Sequence, residues 1–262
     1  MFPRHVFRTD FKIAVFTATL LLAACFASAQ SVDELIAKNI QAHGGMEKLK
    51  SIETVRTTGK YIFPGGFRGD LVQENKRPDK VREENIVQGA ADIVAYDGKT
   101  SWEINPFQGR KDPQLLSEDD SKALIEDADI DGQLIDYKEK GHKAEFVGHD
   151  PVEGTDCYKI KLTLKNGTVR YYYLDTDSYL ELKIETQRMI RGAIQDTESY
   201  FGDYEQVNGI YFAFAFESGE KGSQNRAKMT VEKIEINVPL DDKRFELPAA
   251  PAKAAAKSGM GS

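Results

Sequence analysis

Three histidines and a run of acids are the residues best placed to do chemistry. His43, His142 and His149 follow the N-terminal targeting segment. His43 lies on an apolar helical stripe just before Gly44-Gly45, where packing or capping outweighs a ligand role. His142 and His149 have opposite parity on one candidate strand, so they point to opposite faces unless a bulge intervenes. Between Glu118 and Gly132 the acids Glu118, Asp119, Asp120, Glu126, Asp127, Asp129 and Asp131 suggest calcium. The start Asp127-x-Asp129-x-Asp131-Gly132 fits an EF-hand loop, with glycine at position six. Lys138 stands at position twelve, where that loop needs a bidentate glutamate, so a solvated acidic helix face is the better reading. No G-x-S-x-G, H-E-x-x-H, P-loop or G-x-G-x-x-G motif occurs. A hydrolase would need His142 or His149 beside Asp136 or Asp150, and nothing in the sequence joins them. The expectation is a protein that is not an enzyme, with no cofactor and no metal.

The first 29 residues form a targeting segment. Arg4, Arg8 and Lys12 precede an apolar run, Ile13 to Ala24, too short to span a bilayer. Cleavage after Ala27-Ser28-Ala29 leaves Gln30 first. The alternative, Leu22-Ala23-Ala24-Cys25, has the form of a lipobox with Cys25 lipidated. Either way the chain is exported to the periplasm or anchored there as a lipoprotein, with no later transmembrane span. The whole chain has 35 basic and 42 acidic residues; without Arg4, Arg8, Lys12 and Asp10 the balance is 32 to 41, a net charge of −9. That argues against nucleic acid and against anionic membrane surfaces as partners. Cys157 is then the single cysteine under ordinary cleavage and reads as a small apolar strand residue.

What must position any site is mostly β. Ser31-Val-Asp-Glu34 is a capping box opening a helix that Gly44-Gly45 stops. Period-two patterns place strands near 53–63, 67–76, 79–87, 91–97 and 100–104, then again from His142 through about 204, 210–217 and 226–238. A helical insertion starting at Ser117 separates the two sets. The change of parity between Val231 and Ile234 predicts a bulge near Glu232-Lys233. The chain divides into a signal peptide (1–29), one domain (30–247) and a disordered tail (248–262).

The most patterned stretch is Tyr158 to Ile184. Asn166-Gly167 predicts a two-residue type I′ turn, which sets Leu162 opposite Tyr171 and Ile160 opposite Tyr173. A four-residue loop then sets Tyr171 opposite Leu182. The sheet is thus apolar on one face and charged on the other. Its apolar side, and the row Phe212, Phe214 and Phe216, must be covered by helices, a second sheet or a ligand. Ile160, Leu162, Tyr171, Tyr173, Leu182, Phe212, Phe214 and Phe216 are ordinary core by default, and lining for an acyl-chain pocket by the sharper reading.

The stretches DELIAKNIQAHGGMEKLKSIETVRTTGK (33–60), DGQLIDYKEKGHKAEFVG (131–148), EGTDCYKIKLTLKNGTVRYYYLD (153–175) and FGDYEQVNGIYFAF (201–214) resemble the bacterial outer-membrane lipoprotein-sorting (lipoprotein carrier, Lol-type) superfamily. The resemblance implies a curved antiparallel sheet, an unclosed half-barrel of about ten strands wrapped on a few helices. It also implies a hydrophobic cavity for lipoprotein acyl chains. Arg56 is a candidate for the carriers' functional arginine by location alone. The expected function is binding of a lipid or acylated lipoprotein in the cell envelope, in sorting to the outer membrane. The alternative is a non-catalytic module with a packed core that contacts another envelope protein.

Overall fold

A computed structural model describes residues 31–249. The targeting segment with Cys25 and the tail after residue 249 lie outside the described residues. Helix α1 (Val32–Ala42) begins where the capping box placed it, the Ser31 hydroxyl accepting the Glu34 N–H at 3.2 Å. After the short α2 (Met46–Lys50) come five strands, β1 (Thr54–Ile62), β2 (Arg68–Lys76), β3 (Lys80–Val87), β4 (Ala90–Tyr96) and β5 (Ser101–Asn105). A sixth, β6 (Arg110–Leu115), was not legible because Pro113 interrupts it. It lies at the sheet's edge, where a missing N–H costs least. Helix α3 (Glu118–Asp127), capped by Ser117, is the insertion. The second set is β7 (Lys143–His149), β8 (Cys157–Thr163), β9 (Val169–Asp175), β10 (Glu181–Ile190), β11 (Ala193–Val207), β12 (Ile210–Glu220) and β13 (Ala227–Ile236).

All thirteen strands form one antiparallel sheet, in the order β6-β5-β4-β3-β2-β1-β13-β12-β11-β10-β9-β8-β7. The two sets are therefore joined where β1 pairs with β13, and the sheet does not close on itself. The β1–β13 ladder slips between Thr58 and Gly59, so Glu232 is the extra residue and the predicted bulge is present.

The helices sit on the hollow side. Leu35 and Ile36 of α1 pack with Leu134 on Ile160, Leu162, Tyr172 and Leu174. Burying Ile160 or Leu162 completely, as here, stabilises the fold by roughly 1.5–3 kcal/mol each. At the other flank Leu124 and Ala128 cover Val81 of β3. The convex side of β1–β5 is covered by the chain after β13: Trp102 is buried and its Nε1–H donates to the Phe245 carbonyl at 2.8 Å.

The register between β8 and β9 differs from the sequence expectation. Gly167 takes a positive φ of 89°, whereas Asn166 does not, so the turn is a three-residue loop, Lys165 to Gly167, closed between Leu164 and Thr168. Asn166 is occupied elsewhere: its Oδ1 accepts the Thr168 N–H at 3.0 Å and its Nδ2 donates to Glu126 at 3.0 Å. Leu162 thus faces Arg170, and Ile160 faces Tyr172. A bulge at Leu182 shifts the next ladder, pairing Lys183 with Tyr173 and Glu185 with Tyr171. One residue of slip moves a whole set of side chains across the sheet. Tyr171, Tyr173 and Leu182 therefore lie on the convex side around Val152 and Cys157, with Lys159 and Lys183 over the Tyr173 ring.

Gly44 ends α1 at φ 123°, and a Cβ there would sit 2.4 Å from the Gly209 carbonyl oxygen. Gly44→Ala is expected to cost roughly 2 kcal/mol or more in urea unfolding, since it combines backbone strain with a backbone clash.

Candidate functional site: a cavity under an irregular roof

Between the flanks covered by α1 and α3 the sheet is roofed by an irregular segment, residues 128–142, rather than by a helix. Beneath it lie two adjoining spaces of about 310 and 480 Å³. They share Ile130, Gly132 and Gln133 of the roof and Arg170, Phe212, Ala213 and Phe216 of the sheet. Toward α1 the wall adds Ile40, Tyr172, Ile184 and Phe201; toward β1 and β13 it adds Val55, Met229, Val231 and Ile234. The size and the mainly apolar lining are those of a small-molecule site.

Ion pairs pin the first residues of the roof, and Leu134 and Tyr137 pack into the α1 core. Glu126, at the end of α3, is buried and accepts from the Thr168 hydroxyl (2.8 Å), Asn166 (3.0 Å), Arg170 (2.6 Å) and Arg188 (2.7 Å). Burial alone would raise its pKa. The Arg188 hydrogen bond, the Arg170 charge and the Asn166 amide outweigh that and hold the carboxyl at about 2. Four residues into the roof Asp131 takes Arg77 at 2.5 Å and Lys50 at 2.6 Å, ending at a pKa of about 2 despite its desolvation. Glu126 and Asp131 are therefore not part of a solvated face, whereas Glu118 and Asp127 are exposed. Among the described residues no group of three metal-ligating side chains is assembled.

The α1 side of the cavity is closed by a polar cluster. His43 Nε2 meets Glu181 Oε2 at 2.7 Å and its Nδ1 meets the Tyr211 carbonyl at 2.8 Å. Both partners accept, so the ring must be the doubly protonated imidazolium. Burial works against that charge, but Glu181 raises the pKa to about 9. Asn39 and the Tyr204 hydroxyl complete the shell of Glu181, at 3.0 and 3.3 Å.

The opposite wall is less settled. Glu83 of β3 projects into the larger space, and Asp127 opens onto it from α3. Burial, then the nearby charges of Asp127 and Asp92, push the Glu83 carboxyl up to about 7. Asp127, at the rim, is half-exposed, with Arg170 at 3.9 Å.

Of the residues singled out by sequence, Phe212 and Phe216 border the cavity, whereas half-buried Phe214 is in neither wall. Pairing of β11 with β12 lapses at Asp203 and Phe214, where Asp203 takes φ 50°. The row therefore does not present one face, and Ala213 comes inward. Ile160 and Leu162 are core beneath α1, while Tyr171, Tyr173 and Leu182 are convex. Arg56 is no part of the cavity: it pairs with buried Glu74 at 2.9 Å, on the face opposite Val55 and Thr57, and Arg244 holds the same carboxylate. His142 meets Gln133, and His149 meets Asp156; a bulge at Val147 separates them along β7. Sequence reasoning missed Glu83, Arg170 and Glu181. Glu83 had a signal, since it shares parity with buried Val81 on a strand otherwise read as half-apolar.

An open half-barrel with helices on its hollow side and a cavity left between them defines the class. Solved structures of that class align over most of their length. They include a domain from Vibrio parahaemolyticus assigned to outer membrane lipoprotein sorting (13% identity, 82% of this chain, 96% of that one, TM-score 0.55). A LolA superfamily protein from Nitrosomonas europaea (11%, 82% and 97%, 0.55) and a DUF1329 family protein from Desulfovibrio piger (13%, 82% and 97%, 0.58) share it too. The fold is thus Lol-type, in a divergent form. A family model described as "-like: Uncharacterized protein" matches residues 118–249, half of the chain, and the chain belongs to that family. No curated protein matches it.

Two carboxylates of the cavity should respond oppositely to neutralisation. Glu126→Gln leaves two buried arginines uncompensated and is expected to cost roughly 3 kcal/mol at pH 7. Glu126 ionises more easily folded than unfolded, so the wild-type advantage exists above pH 4.5 and fades as pH falls from 4.5 toward 2. Glu83 is held protonated by the fold, so its contribution is favourable below pH 4.5 and is lost as pH rises through about 7. Glu83→Gln should therefore stabilise the protein at pH 8, on the order of 2 kcal/mol, and leave it unchanged at pH 4. Urea midpoints of both variants across pH 4–8 check the pair of signs.

Proposed function

We propose that the protein is a non-enzymatic carrier of the cell envelope that binds a lipid, or the acyl chains of a lipoprotein, in the roofed cavity. The observation that carries this is the pair of adjoining, mainly apolar spaces of about 310 and 480 Å³, on a sheet whose covering helices reach only its flanks. The Lol-type fold supports the reading, because the similar domain from Vibrio parahaemolyticus is assigned to lipoprotein sorting. Among the described residues no helix is long and apolar enough to cross a membrane. The targeting segment supports a periplasmic location for a single domain over 30–247, starting at Gln30 or anchored through a lipidated Cys25. Phe212 and Phe216 would contact the acyl chain. A packed interaction module with a solid core is the competing reading, and the cavity counts against it.

Native mass spectrometry of the protein taken from a bacterial periplasm should show a bound lipid or acylated peptide, or uptake of a fluorescent fatty acid once emptied. A protein that does neither is not a carrier. Ala213→Trp would put an indole into both spaces at once. It is expected to weaken fatty-acid uptake at least tenfold while the thermal midpoint stays within a few degrees.

A further inference from the structure

A pocket for acyl chains alone has no need of carboxylates, yet Glu83 projects from β3 into this one with no hydrogen bond and no ion pair. The neighbours that might have satisfied it are turned away. Gln73, directly opposite on β2, donates to Asn75 at 3.1 Å, and Asn75 donates to the Asp127 carbonyl at 2.8 Å. On its other side Glu83 faces Val94 of β4. Nearby cations are committed: Arg170 and Arg188 converge on Glu126 at 2.6 and 2.7 Å, and Lys140 holds Asp129 at 2.5 Å. The groups left facing Glu83 are Asp127 from α3, Asp92 from β4 and the Tyr61 phenol from β1. One Asp92 oxygen is itself buried without a partner. Glu83 is thus a half-buried carboxylate lining an apolar cavity beside two other acids, with no counter-charge of its own, and a ligand can supply one.

We propose that the cavity takes a cationic amphiphile, its primary ammonium seated between Glu83 and Asp127 and its chain lying along Met229, Phe216 and Phe212. This rests on the carrier reading and adds to it the chemistry of the ligand's polar end. A lipid with an aminoalkyl headgroup or an acylated peptide with a free amine has this chemistry. An ammonium group offers three donors to the two carboxylates and removes the repulsion between them.

The test is calorimetric titration, at pH 8 and below their aggregation limits, of dodecylammonium, dodecanol and dodecanoate. Wild-type protein should bind dodecylammonium at least tenfold more tightly than dodecanol, and dodecanoate most weakly. Glu83→Gln should shrink the ammonium advantage to threefold or less while leaving the dodecanol affinity in place. Glu47→Gln, which removes an exposed charge, should leave the advantage intact. Equal binding of ammonium and alcohol, tighter binding of dodecanoate, or an advantage undiminished in Glu83→Gln would each overturn the proposal while the carrier reading stood. If none of the three binds, both fall. A thermal melt of Glu83→Gln confirms that a lost preference is not a lost fold.

Discussion

Among the described residues, thirteen strands have three short α-helices to cover the hollow side of their sheet, and that shortage shapes the rest of the fold. α1 covers Ile160, Leu162 and Leu174 at one flank, and α3 covers Val81 at the other. The strands between them, β1, β13 and β12, keep apolar side chains that no helix reaches. Water over so much apolar surface is unfavourable by about 25 cal/mol per Å², so the middle must be roofed or filled. The chain roofs it with an irregular segment, which no ladder holds. Ion pairs of Glu126 and Asp131 pin its first residues, and Leu134 and Tyr137 pack into the α1 core.

This explains why the acidic run resisted a reading from sequence. Spacing alone makes Asp127-x-Asp129-x-Asp131 either a cation loop or a wet helix face. The structure divides the same acids among three jobs that depend on distant partners. Glu126 is locked to Arg170 and Arg188, Asp131 to Arg77 and Lys50, and Asp127 opens onto the cavity. No pattern within residues 118–132 contains that information, because every partner lies outside it.

Local signals were legible in proportion to how local their causes were. The Ser31 and Ser117 caps, the separation of two strand sets and the bulge at Glu232 depend on a few neighbouring residues or on parity, and all were readable. The β8–β9 register depended on Glu126, which draws the Asn166 amide and the Thr168 hydroxyl away from a two-residue turn. Tyr171 and Tyr173 moved to the convex face as a consequence, and the bulge at Leu182 turned that residue outward as well. β6 was hidden by Pro113, which an edge strand tolerates and an interior one does not. The cavity followed only in outline from the imbalance of strands and helices, and its polar wall did not follow at all.

The same carboxylate chemistry takes opposite signs on two sides of one space. Glu126 is desolvated and fully answered by two guanidinium groups, so it strengthens the fold and fixes the roof. Glu83 is desolvated and unanswered, so it weakens the fold above neutral pH. A sheet position selected only for stability would carry valine there, as the neighbouring inward positions Val81 and Val94 do. Retaining an acid at that position is the kind of local inconsistency that functional sites show, where one interaction is left incomplete in the free protein. The first residues of the roof above it are pinned by the Glu126 and Asp131 ion pairs, and its second half packs through Leu134 and Tyr137 into the α1 core. Stability is concentrated at the flanks, and the unfinished chemistry is concentrated in the middle.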